Sequence, residues 1–340
     1  MNKVFVFDKN ASDELNSFRG IGRFMQTLRE NFPEWIFTAN LTDVKNSHES
    51  IFINPFINFY EPPVILKKIA KNQIAVIHDL IPLKYPSHFP SGIRGGFNVF
   101  LNKISLKNYD TFITISETVK RDIINILKIA ERKIKVIYPC PRKLFLQKNL
   151  KTKKTTDPFC LYVGDATWNK NIVNLALAVK MSDIKCVFSG KVFEIIKNKE
   201  NIDLSNPWLD ELRRFILEVK DDNRFIFPGY VSDLELIKLY EQAEFNILPS
   251  HDEGFGLSWL ESASLGRPSL LSNIPVFKEI SDNNAIFFNQ NNPKDIADKM
   301  QTLLKSKSLR QELSKEALKR SQFFSIEKFK KDFLSTVELT

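Results

Sequence analysis

The chain of 340 residues contains only three cysteines and four histidines. So few thiols exclude a disulfide-stapled scaffold, and the odd number suits a reducing compartment. Cys160 and Cys186 lie in apolar, strand-like runs and read as small core residues, whereas Cys140 sits in a loop between Pro139 and Pro141. No spacing among the cysteines and histidines matches a metal-ligand set, and no Asp-x-Asp pair stands where a metal would be held, so no metal is expected. Long apolar runs are missing as well. The stretch 51–60 is far short of the roughly 20 residues of a spanning helix and is interrupted by Pro55. The first residues, MNKVFVFD, have too brief an apolar run for a secretion signal and no small-residue cleavage site. They read as a buried strand. Repeats of short fixed period are absent, as are zinc-finger and RNP-like runs, so nucleic acid is not an expected partner. These absences together point to a cytoplasmic protein.

What the chain does contain is a large apolar content: 43% hydrophobic residues, 29 of them Phe. That rules out disorder and implies substantial cores, and the length fits about two domains. Short runs rich in Ile, Val and Phe read as buried parallel strands at 4–7, 36–39, 51–53, 74–78, 111–115 and 135–137. A second series falls at 159–163, 186–189, 225–227, 245–248 and 269–271. Helical patterns intervene at 22–31, 117–127, 172–181, 233–241 and 257–265, and the region 293–340 is almost wholly helical in pattern. The fold class expected is therefore α/β, with two doubly wound domains. Residues 148–158, KNLKTKKTTDP, are polar and basic and read as the linker. The domains are placed at 1–147 and 159–322, with a last helical segment at 323–340.

In such folds ligands bind beyond the carboxyl ends of the strands, so chemistry is sought there. Directly after the run 245–248 comes Pro-Ser-His-Asp-Glu-Gly-Phe-Gly-Leu-Ser-Trp-Leu-Glu, residues 249–261. Gly254 and Gly256 bracket Phe255, and a helix starts about Leu257. Glycine allows close backbone approach, and the helix start offers N–H groups to an anion. Glu253 lies on the loop and Glu261 eight residues on, within the helix. A lone Gly-Phe-Gly would be no more than a strand-to-helix turn whose Glu253 favours the helix dipole.

The full run is more specific. It resembles the signature of retaining glycosyltransferases of the GT-B fold, family 4, whose E-x7-E motif would be Glu253 and Glu261. The resemblance continues through Ser262-Ala263-Ser264-Leu265-Gly266-Arg267-Pro268, Ile274-Pro275 and Glu279-Ile280. Tyr162-Val163-Gly164 with Asn169-Lys170-Asn171, and Gly229-Tyr230-Val231-Ser232-Asp233, are similar to further motifs of the same half. Ile77-His78-Asp79-Leu80-Ile81-Pro82 and Gly20-Ile21-Gly22-Arg23 resemble those of the first half.

The resemblance implies a cleft between two Rossmann-like domains, the first holding the acceptor and the second a nucleotide-sugar donor, with the last helix crossing back to the first domain. It assigns Lys170 to the donor diphosphate, where a cation must offset the charge that builds on the leaving group. Asn169, Gly254, Phe255, Gly256, Leu257, Val231 and Gly22 would line the donor. Glu261 would accept hydrogen bonds from the ribose hydroxyls, as an acceptor-only carboxylate suits a diol. Glu253 and His78 would act at the transferred sugar, Glu253 not as a nucleophile but in support of front-face attack. Asp79 would either orient the His78 ring or cap the following turn. The family often carries Arg near this Lys. Here Asn169 precedes it and Asp165 follows Gly164, which leaves more of the phosphate charge to Lys170 and the backbone.

The charge is lopsided. Residues 1–156 carry 25 basic and 13 acidic side chains, a net of +12, and residues 157–340 carry 24 and 27, a net of −3. Within the basic half, residues 62–71 (PPVILKKIAK) interleave Ile65, Leu66 and Ile69 with Lys67, Lys68 and Lys71. They read either as an ordinary amphipathic helix or as one lying on an anionic membrane at the inner face of the cytoplasmic membrane.

The function expected is a metal-independent, retaining transfer of a hexose to a glycan or lipid-linked saccharide in surface-polysaccharide assembly. The Gly-Ile-Gly-Arg and His-Asp-Leu-Ile-Pro runs resemble mannosyl- and O-antigen transferases, which slightly favours GDP-mannose over a UDP-hexose. No separate cofactor is expected. A non-catalytic partner subunit, or a nucleotide-sugar epimerase or hydrolase, would fit the same fold.

Overall fold

The computed structural model describes residues 3–9, 20–44, 49–146, 157–182, 184–198 and 206–338. The chain divides into two compact units, Met1–Cys140 with Phe324–Thr340, and Pro141–Phe323. The basic stretch expected as a linker lies, save for its last two residues, outside the described residues. Ahead of it, Phe145 is already buried in the second unit, against Tyr240, with ring centroids 6.4 Å apart.

The first unit is built on six parallel strands: β1 (Lys3–Phe7), β2 (Ile36–Thr38), β3 (Ser50–Asn54), β4 (Asn72–Ile77), β5 (Thr111–Thr114) and β6 (Ile134–Val136), in the order β2-β1-β3-β4-β5-β6. Ile51, Phe52 and Ile53 of β3 and Ile74 to Ile77 of β4 are buried on both faces, which is why they appear in sequence as unbroken apolar runs. Asp8, just beyond β1, is buried and forms an ion pair with Arg29 of the helix Gly20–Asn31. The final helix, Ile326–Glu338, belongs to this unit. Ser325 caps it by accepting from the Lys328 N–H at 3.1 Å. Its Phe329 and Phe333 pack on Phe24 and Phe32, and Phe32 stacks on Trp35 at 3.9 Å. Each buried ring contributes about 2–3 kcal/mol.

The second unit repeats the plan with β7 (Phe159–Val163), β8 (Lys185–Ser189), β9 (Phe225–Gly229), β10 (Phe245–Leu248), β11 (Ser269–Ser272) and β12 (Ile286–Phe288). All pairs are parallel, and the order is β12-β11-β10-β7-β8-β9. The strand order therefore reverses between β7 and β10, the position at which doubly wound sheets bind ligands beyond the carboxyl ends of their strands.

Two local expectations differ from the structure, and one strand, β12, was not among those expected. The helix expected at 117–127 is α-helical only over Glu117–Asp122, then passes into a π turn, Ile123–Leu127, that ends at a left-handed Lys128 with φ 55°. The strand β12 has three residues, too few for a period. Residues 62–71 form no helix. Instead, their carbonyls are held from outside: Ser105 Oγ donates to Ile65 at 2.6 Å and Asn108 Nδ2 to Leu66 at 3.1 Å. The residues 62–63, Pro-Pro, have no N–H to give a helix.

Candidate active site

The carboxyl ends of β7 and β10 bring together the residues that the sequence singles out after these two strands. From β7 the chain turns through Gly164 and Asp165 into a short 3-10 turn, Trp168–Lys170, and then into the helix Ile172–Lys180. The turn is stitched to the loop after β10. The Asn169 side chain donates to the Asp252 carbonyl at 3.2 Å and accepts from Thr167 Oγ1 at 2.8 Å, while the His251 N–H donates to the Asn169 carbonyl at 2.8 Å. Asn171, in the left-handed region at φ 54°, donates to the carbonyls of Pro249 and Gln290, both at 2.8 Å. The Trp168 and His251 rings stack 4.7 Å apart.

This stitching brings Lys170 Nζ to 2.6 Å from Glu253 Oε1, and Ser250 Oγ donates to the same oxygen at 2.8 Å. Asn169, expected at the donor, is buried, and its amide is engaged by Thr167 and the Asp252 carbonyl. Phe255 is buried too, which leaves its backbone as the part that a ligand could meet. Gly254 is buried and Leu257 half-buried beside it.

Gly256 is the N-cap of the helix Leu257–Ser264, at φ 102°. A Cβ there would lie 2.9 Å from Phe277 Cε1, a distance real Cβ atoms do not reach. One turn into that helix Glu261 is buried, and Tyr240 Oη donates to its Oε2 at 2.9 Å and to the Ser258 carbonyl at 3.2 Å. The geometry thus holds one carboxylate beside an ammonium and another beside a phenol, both at the open end of one helix, where backbone N–H groups attract anions.

Val231 follows β9, half-buried against the cluster that includes Phe145 and Tyr240. Its neighbour Ser232 caps the next helix in a capping box with Glu235. Arg267 does not supplement Lys170. It precedes β11, at the amino ends of the parallel strands and so at the opposite end of the sheet, where burial lowers its pKa while the charges of Glu241 and Glu244 oppose that shift.

In the first unit His78 follows β4. Burial lowers its pKa to about 4, partly offset by a hydrogen bond to the Pro55 carbonyl. Its Nε2 is sealed from solvent and has no partner among the described residues. Because one ring nitrogen donates to Pro55, Nε2 carries the lone pair and is an acceptor. The ring also meets Phe24 edge-on at 4.8 Å. Asp79 accepts from the Ile81 N–H at 3.0 Å, which caps the following turn, Ile81–Lys84. Gly22 is buried in the first turns of its helix. Ser116 accepts from the Val119 N–H and is a helix cap. Cys140, Cys160 and Cys186 are all buried free thiols, and burial pushes Cys140 up to about 12. Among the described residues no group of three or more His, Cys, Asp or Glu could hold a metal ion, and no helix is long and apolar enough to cross a membrane.

Sequence reasoning missed Tyr240 and gave no role to Ser250 or Asn171, although both stand in the motifs it quoted. Tyr240 and Asn171 reach partners 21 and 78 residues away. Only the three-residue spacing of Ser250 from Glu253 was open to a local reading.

The family of glycosyl transferases group 1 matches residues 146–320. Among curated proteins, the O-antigen chain mannosyltransferase RfbU of Salmonella typhimurium is 30% identical over 66% of this chain and 59% of its own length. The serotype-specific mannosyltransferase WbdA of Escherichia coli is 26% identical over 74% of this chain and 31% of its own. The matched stretches thus span less than two thirds of these relatives. Among solved structures, sucrose-phosphate synthase from Thermosynechococcus elongatus aligns over 100% of this chain and 99% of its own, with a TM-score of 0.75 at 14% identity. Anabaena HepE in complex with UDP and glucose aligns over 100% of both chains, with a TM-score of 0.71 at 15% identity. At such identities the likeness is one of fold, and that fold is GT-B.

Proposed function

The chain belongs to the glycosyl transferases group 1, and from that premise we propose that it moves a hexose, with a preference for mannose, from a nucleotide sugar to a glycan or lipid-linked saccharide. The observation that carries this reading is the Lys170–Glu253 pair beside the buried Glu261, at the strand-order reversal of a Rossmann-like sheet. The relatives described as mannosyltransferases support mannose and hence GDP-mannose; the HepE complex with UDP keeps a UDP-hexose as the competing donor.

In this reading the acceptor hydroxyl attacks the anomeric carbon on the face that the diphosphate leaves. The bond from carbon to phosphate oxygen breaks, and the acceptor's proton passes to that departing oxygen, so configuration is retained. Lys170 and the helix N–H groups near Gly256 stabilise the charge that develops on the diphosphate, with no metal required. Glu253 holds a sugar hydroxyl, Glu261 the ribose diol, and His78, whose Nε2 is sealed from solvent, supports the transferred sugar through its backbone. Val231, Gly22, Gly254, Phe255 and Leu257 supply close contacts, largely through backbone. The reaction takes place in the cytoplasm.

A panel of nucleotide sugars read by thermal shift, followed by transfer assays on lipid-linked saccharides, tests the proposal. GDP-mannose is expected to stabilise the protein most, the product to keep the α configuration by NMR, and a chelator to leave the rate unchanged. Stabilisation by no nucleotide would favour a non-catalytic partner subunit, and release of free sugar without transfer a hydrolase.

A further inference from the structure

The helix Gly92–Ser105 of the first unit is turned inside out. Its buried residues are Gly95, Asn98, Asn102 and Ser105. These bind carbonyls of the loop that precedes β4: Asn98 Nδ2 donates to Tyr60 at 2.9 Å, Asn102 Nδ2 to Glu61 at 2.8 Å and Ser105 Oγ to Ile65 at 2.6 Å. The large apolar side chains point the other way. Ile93 is 97% exposed, Phe97 60%, Phe100 59% and Ile104 38%. At helical spacing these four fall within one narrow stripe, about 17 Å long. Arg94 flanks the stripe on one side and Lys103 on the other. Beside its carboxyl end, Leu66 is 57% exposed, next to exposed Lys67.

Hydrogen bonding explains the inward polar face, but none of the described residues of the unit covers the outward apolar one. A continuous apolar stripe edged by cations is the pattern of a helix that lies in a bilayer interface, with its rings among the acyl chains and its basic groups at anionic headgroups. The cations are available for this. Among the described residues Arg94, Lys103, Lys107 and Lys67 take part in no ion pair, whereas the nearby carboxylates of Asp110 and Glu61 are engaged by Lys68 and Lys9. The same charges argue against a second copy as the occupant, since a two-fold pairing of this face on itself would bring the cations together.

We propose that this face, Ile93, Phe97, Phe100 and Ile104 with Arg94 and Lys103, docks the protein on an anionic lipid surface. The surface that the sequence sought at residues 62–71 is thereby placed mainly on the helix Gly92–Ser105, with Leu66 and Lys67 at its margin. The inference rests on exposure and charge rather than on the transfer reaction, and its test uses neither donor nor acceptor, so either can fail without the other.

The test is co-sedimentation of the full chain with phosphatidylcholine vesicles with and without phosphatidylglycerol. Binding is expected only to the vesicles with phosphatidylglycerol and should weaken with salt. Phe97→Ser with Phe100→Ser should lower it about ten-fold or more without changing the melting temperature, because these rings touch no core. Arg94→Glu with Lys103→Glu should abolish the preference for anionic lipid. Phe97→Trp should be quenched by brominated acyl chains, a readout that depends on insertion. The proposal is overturned if the protein ignores anionic vesicles, if the Trp is not quenched, or if sedimentation shows a dimer that the two Ser substitutions dissociate.

Discussion

Lys170 Nζ and Glu253 Oε1 lie 2.6 Å apart, and the Ser250 hydroxyl shares that oxygen. Each charged group is therefore held by the other. A lysine that is to meet a diphosphate must exchange one anion for another, so the two partners are not equivalent under substitution. Lys170→Ala is expected to lower kcat/KM by on the order of 10²–10³ and to weaken nucleoside diphosphate binding. Glu253→Gln frees the ammonium, so it should leave that binding unchanged or tighter while kcat falls. Isothermal titration with the diphosphate, set beside steady-state rates, separates the two effects. Transfer at the wild-type rate by Lys170→Ala would remove Lys170 from the diphosphate.

His78 predicts a pH dependence of stability. Its pKa in the folded chain is about 4, against the ordinary 6.5, because burial disfavours the imidazolium more than the Pro55 carbonyl favours it. The unfolded chain therefore takes up the proton first as pH falls. The stability tied to the neutral ring is complete above about pH 6.5 and is lost progressively down to about pH 4, at most about 3 kcal/mol in all. Urea midpoints measured across that window should fall further for the wild type than for His78→Gln. Equal falls in the two proteins would show that the ring is not held neutral by the fold. Between pH 7 and 8 the ring stays neutral, so activity there should show no step from this residue.

The degree to which the molecule was legible follows from where each signal resides. Strands buried on both faces, such as β3 and β4, announce themselves because every residue must be apolar. The helix Gly92–Ser105 was not read from sequence, since the face that packs inward is Gly, Asn and Ser and the apolar period points outward. Residues 62–71 misled in the opposite sense: their apolar and basic residues alternate in helical fashion, yet the backbone is held by side chains of another element. In the site, Glu253, Glu261 and Lys170 stood out because they belong to a compact run and a short turn. The groups that position them did not, because Asn171 and Tyr240 act across sequence distances of 78 and 21 residues.

Tyr240 gives the third prediction. Its hydroxyl donates to a buried carboxylate oxygen of Glu261 and to the Ser258 carbonyl in the same helix. Tyr240→Phe keeps the ring, which is fully buried, and removes only the donor. The cost in stability should be about 1–3 kcal/mol, as for a buried charged acceptor that loses a partner. If Glu261 binds the ribose, the donor KM should rise with kcat nearly unchanged, because the carboxylate loses its orientation and the chemistry is untouched. A fall in kcat alone would place Glu261 at the reacting centre instead.

Gly256 tests whether the helix start itself belongs to the site. At φ 102° the residue lies in the left-handed region, and its carbonyl accepts from the Trp259 and Leu260 N–H groups at 3.0 and 3.3 Å to open the helix that carries Glu261. A methyl group added there would meet Phe277 at 2.9 Å and Ile280 at 3.3 Å, and both are fully buried and have no room to yield. Gly256→Ala therefore combines backbone strain with overpacking and should cost about 2–4 kcal/mol in chemical denaturation. Phe277→Leu in the same chain relieves the contact but leaves the dihedral strain, so it should recover part of the loss and no more. Nucleoside diphosphate binding should fall in Gly256→Ala even where the protein remains folded, because the N–H groups of the first turn are displaced. Full stability and unchanged binding in Gly256→Ala would mean that the loop adopts another course and that the helix start does not receive the phosphates.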